Sequence, residues 1–370
     1  MGQIEQIRQE LPDSTIIAIM SGNIVQRGEF AMLDKYFRAK IALECGANAV
    51  FELPYPYCGS TAEVFANAGV EIAHKLGCDY LYFGTEEQEI EKIERIAELI
   101  DSSEFENKLK EQIDQNEGSY LEAKSKALES FGFSLPNSSN DILALEYIRA
   151  IKNKNVPLKY KTIKRVGARY NDRLVCDIMS ATAIRRYFYE NGGFLSVPCE
   201  ELYACEADAG NILDKENSNR FLHRYVIQNG CKIKEAFDSN EEIESLLTSL
   251  AMKSVSYDFF TKLSSKKYTT SRLKRVLLYS LFDIKSVDFS PKFTFLLAMD
   301  NKGQQALSRV KKTKDFKVIT KHSDVKKLDE ASAVLAEKRY EIDTLYNTLL
   351  RTEKVPDSSY KQKPILQDSK

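Results

Sequence analysis

Short apolar segments alternate with helical periodicity through about the first 190 residues, and this alternation restricts the fold more than any other feature. Residues 15–22 are β-branched and apolar and end in Ser-Gly, which is typical of a buried parallel strand entering a loop. Further strands are predicted at residues 49–54, 78–86 and 158–166, with helices between them. Because helices cover both faces of a parallel sheet, this order predicts an α/β fold with a Rossmann-like, doubly wound parallel sheet.

The pattern changes near residue 196. From there on, helical periodicity continues without clear intervening strands. We therefore predict an α/β domain over residues 1–195, a mainly α-helical domain over residues 196–350 and a flexible polar tail over residues 351–370. The charged helical stretch at residues 87–126 is predicted to be an insertion on the sheet.

Composition narrows the class of protein. With 43% hydrophobic and 29% charged residues among 370, the chain has enough apolar material for a buried core. No apolar run approaches the roughly 18 residues of a membrane-spanning helix, so we expect a cytoplasmic protein with no membrane partner. The seven cysteines form no CxxC pair and the three histidines lack metal-ligand spacing, which predicts free thiols and no metal site. A net charge of −1 means that any role in binding nucleic acid depends on a local patch.

A polar loop follows the first predicted strand. In an open parallel α/β sheet, ligands bind beyond the carboxyl ends of the strands. Glycine, a hydroxyl, amides and an arginine directly after a buried strand are suited to cradle a phosphate or a carboxylate, although an ordinary polar loop has the same composition. The residues of this predicted substrate loop are Ser21, Gly22, Asn23, Gln26 and Arg27.

Two further positions are candidates for a nucleotide site. Gly84, at the end of the third predicted strand, would let a nucleotide ring or ribose approach the backbone, as would a plain turn at that position. Asn140 lies just before a helix predicted to start near Asp141, where helix capping is the alternative role.

Hydroxyls and an arginine mark the start of the helix predicted at residues 180–192. Ser180 and Thr182 with Arg185 one turn later would suit a polyphosphate held by helix-end amides and a guanidinium. A capped helix without a ligand is the alternative. Arg165, at the end of the fourth predicted strand, adds a cation at the same edge of the sheet unless it belongs to a solvated basic pair.

A cationic helix start stands out in the second predicted domain. Residues 263–282 contain several cations and Tyr268, and no acidic residue follows before Asp283. This composition favours contact with a phosphate backbone, whereas a solvated helix face is the alternative. The cations predicted to bind RNA are Lys266, Lys267, Arg272 and Arg275.

Several of these segments resemble bacterial tRNA(Met) cytidine acetate ligases. Residues 20–86 resemble the nucleotidyltransferase-like domain of this family almost end to end. Residues 136–151 resemble its Pro-Asn-Asp-Ile-Leu block with three extra residues, and residues 180–185 resemble its Ser-Ala-Thr-x-Ile-Arg motif. Residues 266–282 and 299–307 are similar to its C-terminal helical region.

This resemblance implies a nucleotidyltransferase-type sheet and a two-step ligase. The family activates acetate with ATP to an acetyl-adenylate, releases pyrophosphate and passes the acetyl group to N4 of the wobble cytidine of elongator tRNA(Met). Mg²⁺ is expected from phosphoryl chemistry, with ligands that the sequence does not identify. The resemblance places ATP contacts at Gly84, Asn140 and Arg165, and a second signature near the phosphates at Ser180, Thr182 and Arg185.

The start of the chain departs from this family. Its members begin with a strand and an Asn-Pro-Phe-His-x-Gly-His motif whose histidines contact the phosphates. Here Ile4 onward corresponds to the helix after that motif, and no histidine precedes His74. We therefore expect the strand and the motif to be missing and this form of the chain to be inactive.

Two other functions fit the same residues. An adenylyltransferase acting on a small phosphorylated metabolite would use the nucleotide site without needing the cationic helix. A non-catalytic tRNA-binding paralogue would keep the helix and lack ATP turnover.

Overall fold

The predicted strands and helices of the α/β region are present, and the α/β fold class is confirmed. The computed structural model describes residues 2–86, 90–115, 120–164, 180–265, 267–310, 315–356 and 358–368. The strands are β1 (Ile17–Ser21), β2 (Ile24–Val25), β3 (Glu29–Phe30), β4 (Ala49–Leu53), β5 (Tyr80–Thr85), β6 (Lys159–Lys164), β7 (Phe293–Asp300), β8 (Lys317–Ile319) and β9 (Ile365–Gln367).

Helices account for most of the described chain. They are α1 (Gly2–Glu10), α2 (Lys35–Glu44), α3 (Ala62–Lys75), α4 (Ile90–Ile100), α5 (Ser103–Gln115), α6 (Tyr120–Glu129), α7 (Ser139–Lys154), α8 (Ala181–Asn191), α9 (Glu200–Asp208), α10 (Lys215–Asn229), α11 (Glu241–Met252), α12 (Ser256–Phe259), α13 (Thr270–Leu281), α14 (Asn301–Arg309), α15 (Glu330–Thr348) and α16 (Ser358–Lys361). None of the helices in the described ranges is both long and apolar enough to cross a membrane.

The chain packs into two compact units. One consists of Met1–Thr61 together with Val166–Lys370, and the other is Ala62–Arg165. This division follows spatial packing and therefore differs from the boundary in chain order that we predicted at residue 195.

The main sheet lies in the larger unit. β1 and β4 run parallel, β7 pairs antiparallel with β4, and β8 and β9 run parallel to β7. The region at residues 196–350, predicted to be mainly α-helical, thus also contributes β7 and β8 to this sheet. The first residues of β7 are all buried, and such a continuous apolar run has no two-residue alternation to reveal a strand. The segment at residues 351–370, expected to be a flexible tail, contributes β9 to this sheet.

The smaller unit is built around the parallel pair β5–β6. Phe83 of β5 stacks on Tyr147 of α7 and on Tyr160 of β6. Ile93 of α4 and Ile148 of α7 are buried in the same core. These contacts fix the carboxyl end of β5 relative to the start of α7, where two predicted nucleotide contacts lie.

A β-hairpin in the larger unit carries part of the predicted substrate loop. β2 pairs antiparallel with β3, and the backbone N–H of Gly28 donates to the carbonyl of Val25 at 2.9 Å. Gly28 has a φ of +74°, the left-handed conformation that closes such three-residue turns. A Cβ added to Gly28 would lie 2.5 Å from the backbone nitrogen of Arg275. The hairpin therefore rests directly on the backbone of α13.

This close approach predicts a large cost for a side chain at position 28. Gly28→Ala should lower the free energy of unfolding by about 3 kcal/mol, because a left-handed alanine costs about 1–2 kcal/mol and steric overlap adds about 1–3 kcal/mol. Gly77→Ala is the matched control, since Gly77 has a φ of +73° and nothing lies within 4 Å of an added Cβ. Equal losses for the two variants in chemical denaturation would contradict the packing of the hairpin on α13.

Candidate functional site

The tip of the hairpin meets the start of α8. Arg27 donates from Nη1 to Thr182 Oγ1 at 3.3 Å, and Arg185 donates from Nη2 to the same oxygen at 3.1 Å. Ser180 caps α8, because its hydroxyl accepts from the backbone N–H of Ala183 at 3.2 Å. The structure thus brings together Arg27, Thr182 and Arg185, which were predicted from separate segments and are called the arginine cluster below.

The arginine cluster has the chemistry of an anion site. The first N–H groups of a helix lack partners within the helix, and the helix dipole favours negative charge at that end. Two guanidinium groups beside those amides can donate to phosphate or carboxylate oxygens in bidentate geometry. The capping role foreseen as an alternative holds for Ser180, whereas Thr182 serves as the point where both arginines meet.

The first part of the substrate loop is held from inside the protein. Arg38 of α2 donates to the backbone carbonyls of Ser21 and Gly22, at 3.0 and 2.5 Å. Burial lowers the pKa of the Arg38 guanidinium below its ordinary value. Asn23 is 2% exposed, and its amide donates to Asp34 while its side-chain oxygen accepts from the backbone of Lys35. Asn23 therefore shapes the loop from its buried side.

Gln26 and Arg27 form the other half of the loop. Both lie in the turn between β2 and β3 and are partly exposed. Arg27 is the member of the loop whose side chain reaches α8. Of the five predicted loop residues, the accessible cation is thus the one placed beside a helix N-terminus.

A second group of residues, called the strand-end cluster below, lies at the carboxyl end of β5 in the smaller unit. Asp141 Oδ1 accepts from the Thr85 hydroxyl at 2.5 Å and from the backbone N–H of Glu86 at 2.8 Å. The Asn140 amide donates to the Glu86 carboxylate at 3.0 Å. Gly84 directly precedes this cluster, so the structure brings the predicted contacts Gly84 and Asn140 to the same end of the strand.

The helix cap of α7 is Ser138. Its hydroxyl accepts from the backbone N–H of Asp141 at 3.0 Å, and the helix begins at Ser139. The capping role considered for Asn140 is therefore filled by Ser138, and Asn140 lies in the first turn of α7 with a partly exposed side chain. The sequence analysis did not assign a role to Asp141. Its side chain is buried, and a buried carboxylate requires hydrogen-bond partners, here at the end of β5.

The cations around the start of α13 have acidic partners from other elements. Lys267 pairs with Glu242, and Arg272 Nη2 lies 2.8 Å from Asp238. The RNA prediction relied on the lack of acidic residues near these cations in the sequence. In the folded chain, Glu242 and Asp238 supply those acids from earlier segments. Burial lowers the pKa of Arg275, and Arg272 lies over the ring of Tyr268, itself 5% exposed.

Some predicted residues and ligands lie beyond what the structure describes. Arg165 and Lys266 fall outside the described residues. Among the described residues, no group of three or more His, Cys, Asp or Glu side chains is arranged to hold a metal ion.

Comparison with known proteins gives a consistent result. Residues 2–363 match the family described as HIGH Nucleotidyl Transferase. The chain is 33% identical to a tRNA(Met) cytidine acetate ligase of Fusobacterium nucleatum over 90% of this chain and 87% of the relative. It is 37% identical to the tRNA(Met) cytidine acetate ligase of Streptococcus uberis over 80% of each chain.

Solved structures are similar over the whole chain. The apo crystal structure of Thermotoga maritima TmcAL has a TM-score of 0.90 at 26% identity and covers 100% of this chain and 96% of its own. A crystal structure of the same protein bound with alpha-thio ATP has a TM-score of 0.87, again at 26% identity, with 99% and 95% covered.

Asp141 provides a test of the strand-end cluster. Asp141→Ala should lower the free energy of unfolding by about 2–4 kcal/mol, since hydrogen bonds to a charged group contribute about 1.5–3 kcal/mol and buried donors lose their acceptor. Amide exchange at Glu86 should accelerate as well, because its N–H loses its partner.

Asp101→Ala is the matched control in the same unit. Asp101 also accepts several hydrogen bonds, from Arg149 and Asn153, but at an exposed position. Its loss should cost about 1–3 kcal/mol, because Arg149 is largely buried, and should leave exchange at Glu86 unchanged. A similar response of Glu86 to both variants would count against the clamp described for Asp141.

Proposed function

Since the chain belongs to the HIGH nucleotidyl transferase family, and within it to the tRNA(Met) cytidine acetate ligases, we propose that it uses ATP to acetylate the wobble cytidine of elongator tRNA(Met). The observation that carries this proposal is the meeting of Arg27 and Arg185 on Thr182 at the start of α8. A ligase that splits ATP into AMP and pyrophosphate needs cations where the departing phosphates gain charge. The arginine cluster supplies two of them.

The proposed reaction has two steps. An acetate oxygen attacks the α-phosphorus of ATP, an O–P bond forms, and the bond to the β-phosphate oxygen breaks so that pyrophosphate leaves. The exocyclic N4 of cytidine then attacks the acetyl carbonyl carbon, AMP leaves, and the nitrogen loses a proton. In this scheme Arg27 and Arg185 hold the pyrophosphate oxygens, and the first amides of α8 add donors that need no reorganisation during the reaction.

Gly84 and Asn140 of the smaller unit are kept as proposed ATP contacts because of the family resemblance. Gly84 lets the ligand approach the backbone of β5, and Asn140 offers an amide from the first turn of α7. The clamp made by Asp141 on Thr85 and Glu86 supports this assignment, because it holds the strand end rigid without using the Asn140 side chain. Arg165 is proposed as a further phosphate contact from its family position.

Two further expectations from the sequence concern Mg²⁺ and the activity of the chain. Mg²⁺ remains an expectation from phosphoryl chemistry, and no group of three or more His, Cys, Asp or Glu side chains among the described residues is arranged to hold it. The activity of the chain is tested by acetate-dependent ATP–pyrophosphate exchange, measured beside a version extended at its N-terminus by the family's first strand and histidine motif.

For tRNA, we propose contact along the start of α13. Lys267 is the most accessible described cation there, with a side chain that is 60% exposed. Its pairing with Glu242 is a surface contact, which is weak enough for a phosphate to displace. Arg272 and Arg275 are more buried, so their main contribution is to hold the start of this helix.

The arginine cluster predicts a difference between adjacent arginines. Arg185→Gln should weaken ATP binding about ten- to hundredfold, because a charge-assisted phosphate contact contributes about 1.5–3 kcal/mol. Arg27→Gln should have a similar effect. Isothermal titration with ATP measures both without requiring turnover.

Arg186→Gln is the matched control on the same helix. Arg186 is 60% exposed and pairs with Glu190, so its loss should leave ATP affinity unchanged. Equal effects of Arg185→Gln and Arg186→Gln would exclude a specific phosphate site at this helix. ATP binding without acetate-dependent pyrophosphate exchange, even in the extended version, would favour an adenylyltransferase acting on a small phosphorylated metabolite.

Lys267 gives a separate test of the RNA role. Lys267→Ala should weaken tRNA binding severalfold and lower the slope of log Kd against log salt concentration by about one unit, since one phosphate contact is lost. Lys152→Ala, which removes a paired and exposed lysine from the smaller unit, should change neither. Identical salt slopes for the wild-type chain and Lys267→Ala would remove this lysine from the RNA surface.

A further inference from the structure

A second group of charges is buried behind the substrate loop. Lys35 at the start of α2 is fully buried, Glu52 lies near the end of β4, and Arg339 and Asp343 lie on α15. The side chains of the last three are at most 7% exposed. These four residues, two cations and two anions, are called the buried ion network.

Each charge in the network is paired. Lys35 Nζ lies 3.0 Å from Glu52 Oε2 and 2.7 Å from Asp343 Oδ2. Arg339 Nε donates to Glu52 Oε2 at 2.9 Å. Because an unpaired charge in a dry interior is costly, the four groups hold one another in a single arrangement.

The network touches the substrate loop at two consecutive residues. Asp343 Oδ1 accepts from the Asn23 amide at 3.0 Å. A Cβ added to Gly22 would lie 2.1 Å from Glu52 Oε1, so only glycine fits against that carboxylate. The Asn23 side-chain oxygen in turn accepts from the backbone N–H of Lys35 at 2.9 Å.

We propose that Asp343 is a positioning residue for the ATP site, which holds Asn23 and thereby keeps the substrate loop in the conformation that presents Arg27 to Thr182. The inference rests on the proposed function, since it assumes that Arg27 binds phosphate. Asp343 and Asn23 are 320 residues apart in the chain, so a helix from its far end completes the site. Asp343 acts through Asn23 and does not itself reach the arginine cluster in this scheme.

A purely stabilising role for Asp343 makes a different prediction. Stability depends on the balance of charge in the network, whereas the order of the loop depends on Asp343 as the second acceptor of the uncharged Asn23 amide, beside Asp34. The two roles separate in a variant that restores the balance without restoring the acceptor.

The experiment compares Asp343→Leu with the double variant Lys35→Met, Asp343→Leu. The single variant leaves one cation unpaired and should lose stability, whereas the double variant removes one charge of each sign and should recover most of it. In both variants, amide exchange in residues 22–30 should be about tenfold faster than in the wild-type chain. Affinity for inorganic pyrophosphate should fall about fivefold in both, because the arginine is less well placed.

Ile342→Val is the control on the same helix, since Ile342 is buried beside Asp343 in the sequence and outside the network. It should change neither exchange in residues 22–30 nor pyrophosphate affinity. The inference would be overturned if amide exchange in residues 22–30 of the double variant were as slow as in the wild-type chain. Faster exchange with unchanged pyrophosphate affinity would overturn it as well. If the wild-type chain bound no pyrophosphate, the proposed function would fail, and exchange in residues 22–30 would still decide whether Asp343 holds the loop.

Discussion

The pairing of Lys35 with Glu52 and Asp343 in the interior is the constraint on which the larger unit depends. It joins the start of α2, the end of β4 and the middle of α15 at one point. Burial acts to raise the pKa of Glu52, but Lys35 and Arg339 beside it lower that pKa below its ordinary value. Glu52 therefore stays ionised, and the main sheet and α15 are linked by charges that cannot separate without a large desolvation cost.

The β2–β3 hairpin connects the buried ion network to the candidate site. Its base is fixed by Asn23, its turn lies on the backbone of α13 at Gly28, and its tip places Arg27 beside α8. One short segment thus contacts the proposed ATP site and the helix proposed to bind tRNA. The proposed two-step reaction would benefit from this arrangement, because the two proposed binding surfaces share a support.

Local patterns were enough to predict much of this molecule. The strands β1, β4, β5 and β6 are bounded by glycine, proline and polar residues, and those boundaries are visible in the sequence. The strand β7 was missed because its run of buried apolar residues has no strand period. Glu52 indicates a buried ion pair, because a carboxylate inside a buried strand requires a cation. The local sequence does not identify Lys35 and Arg339 as its partners. The contact between Arg27 and Thr182 likewise depends on tertiary packing across 155 residues.

The most direct test of the proposed phosphate site is a crystal structure of this chain with a non-hydrolysable ATP analogue. We predict phosphate oxygens within hydrogen-bond distance of Arg27 and Arg185, against the first amides of α8, with Asn23 still bonded to Asp343. A nucleotide whose phosphates lie away from both arginines would contradict it.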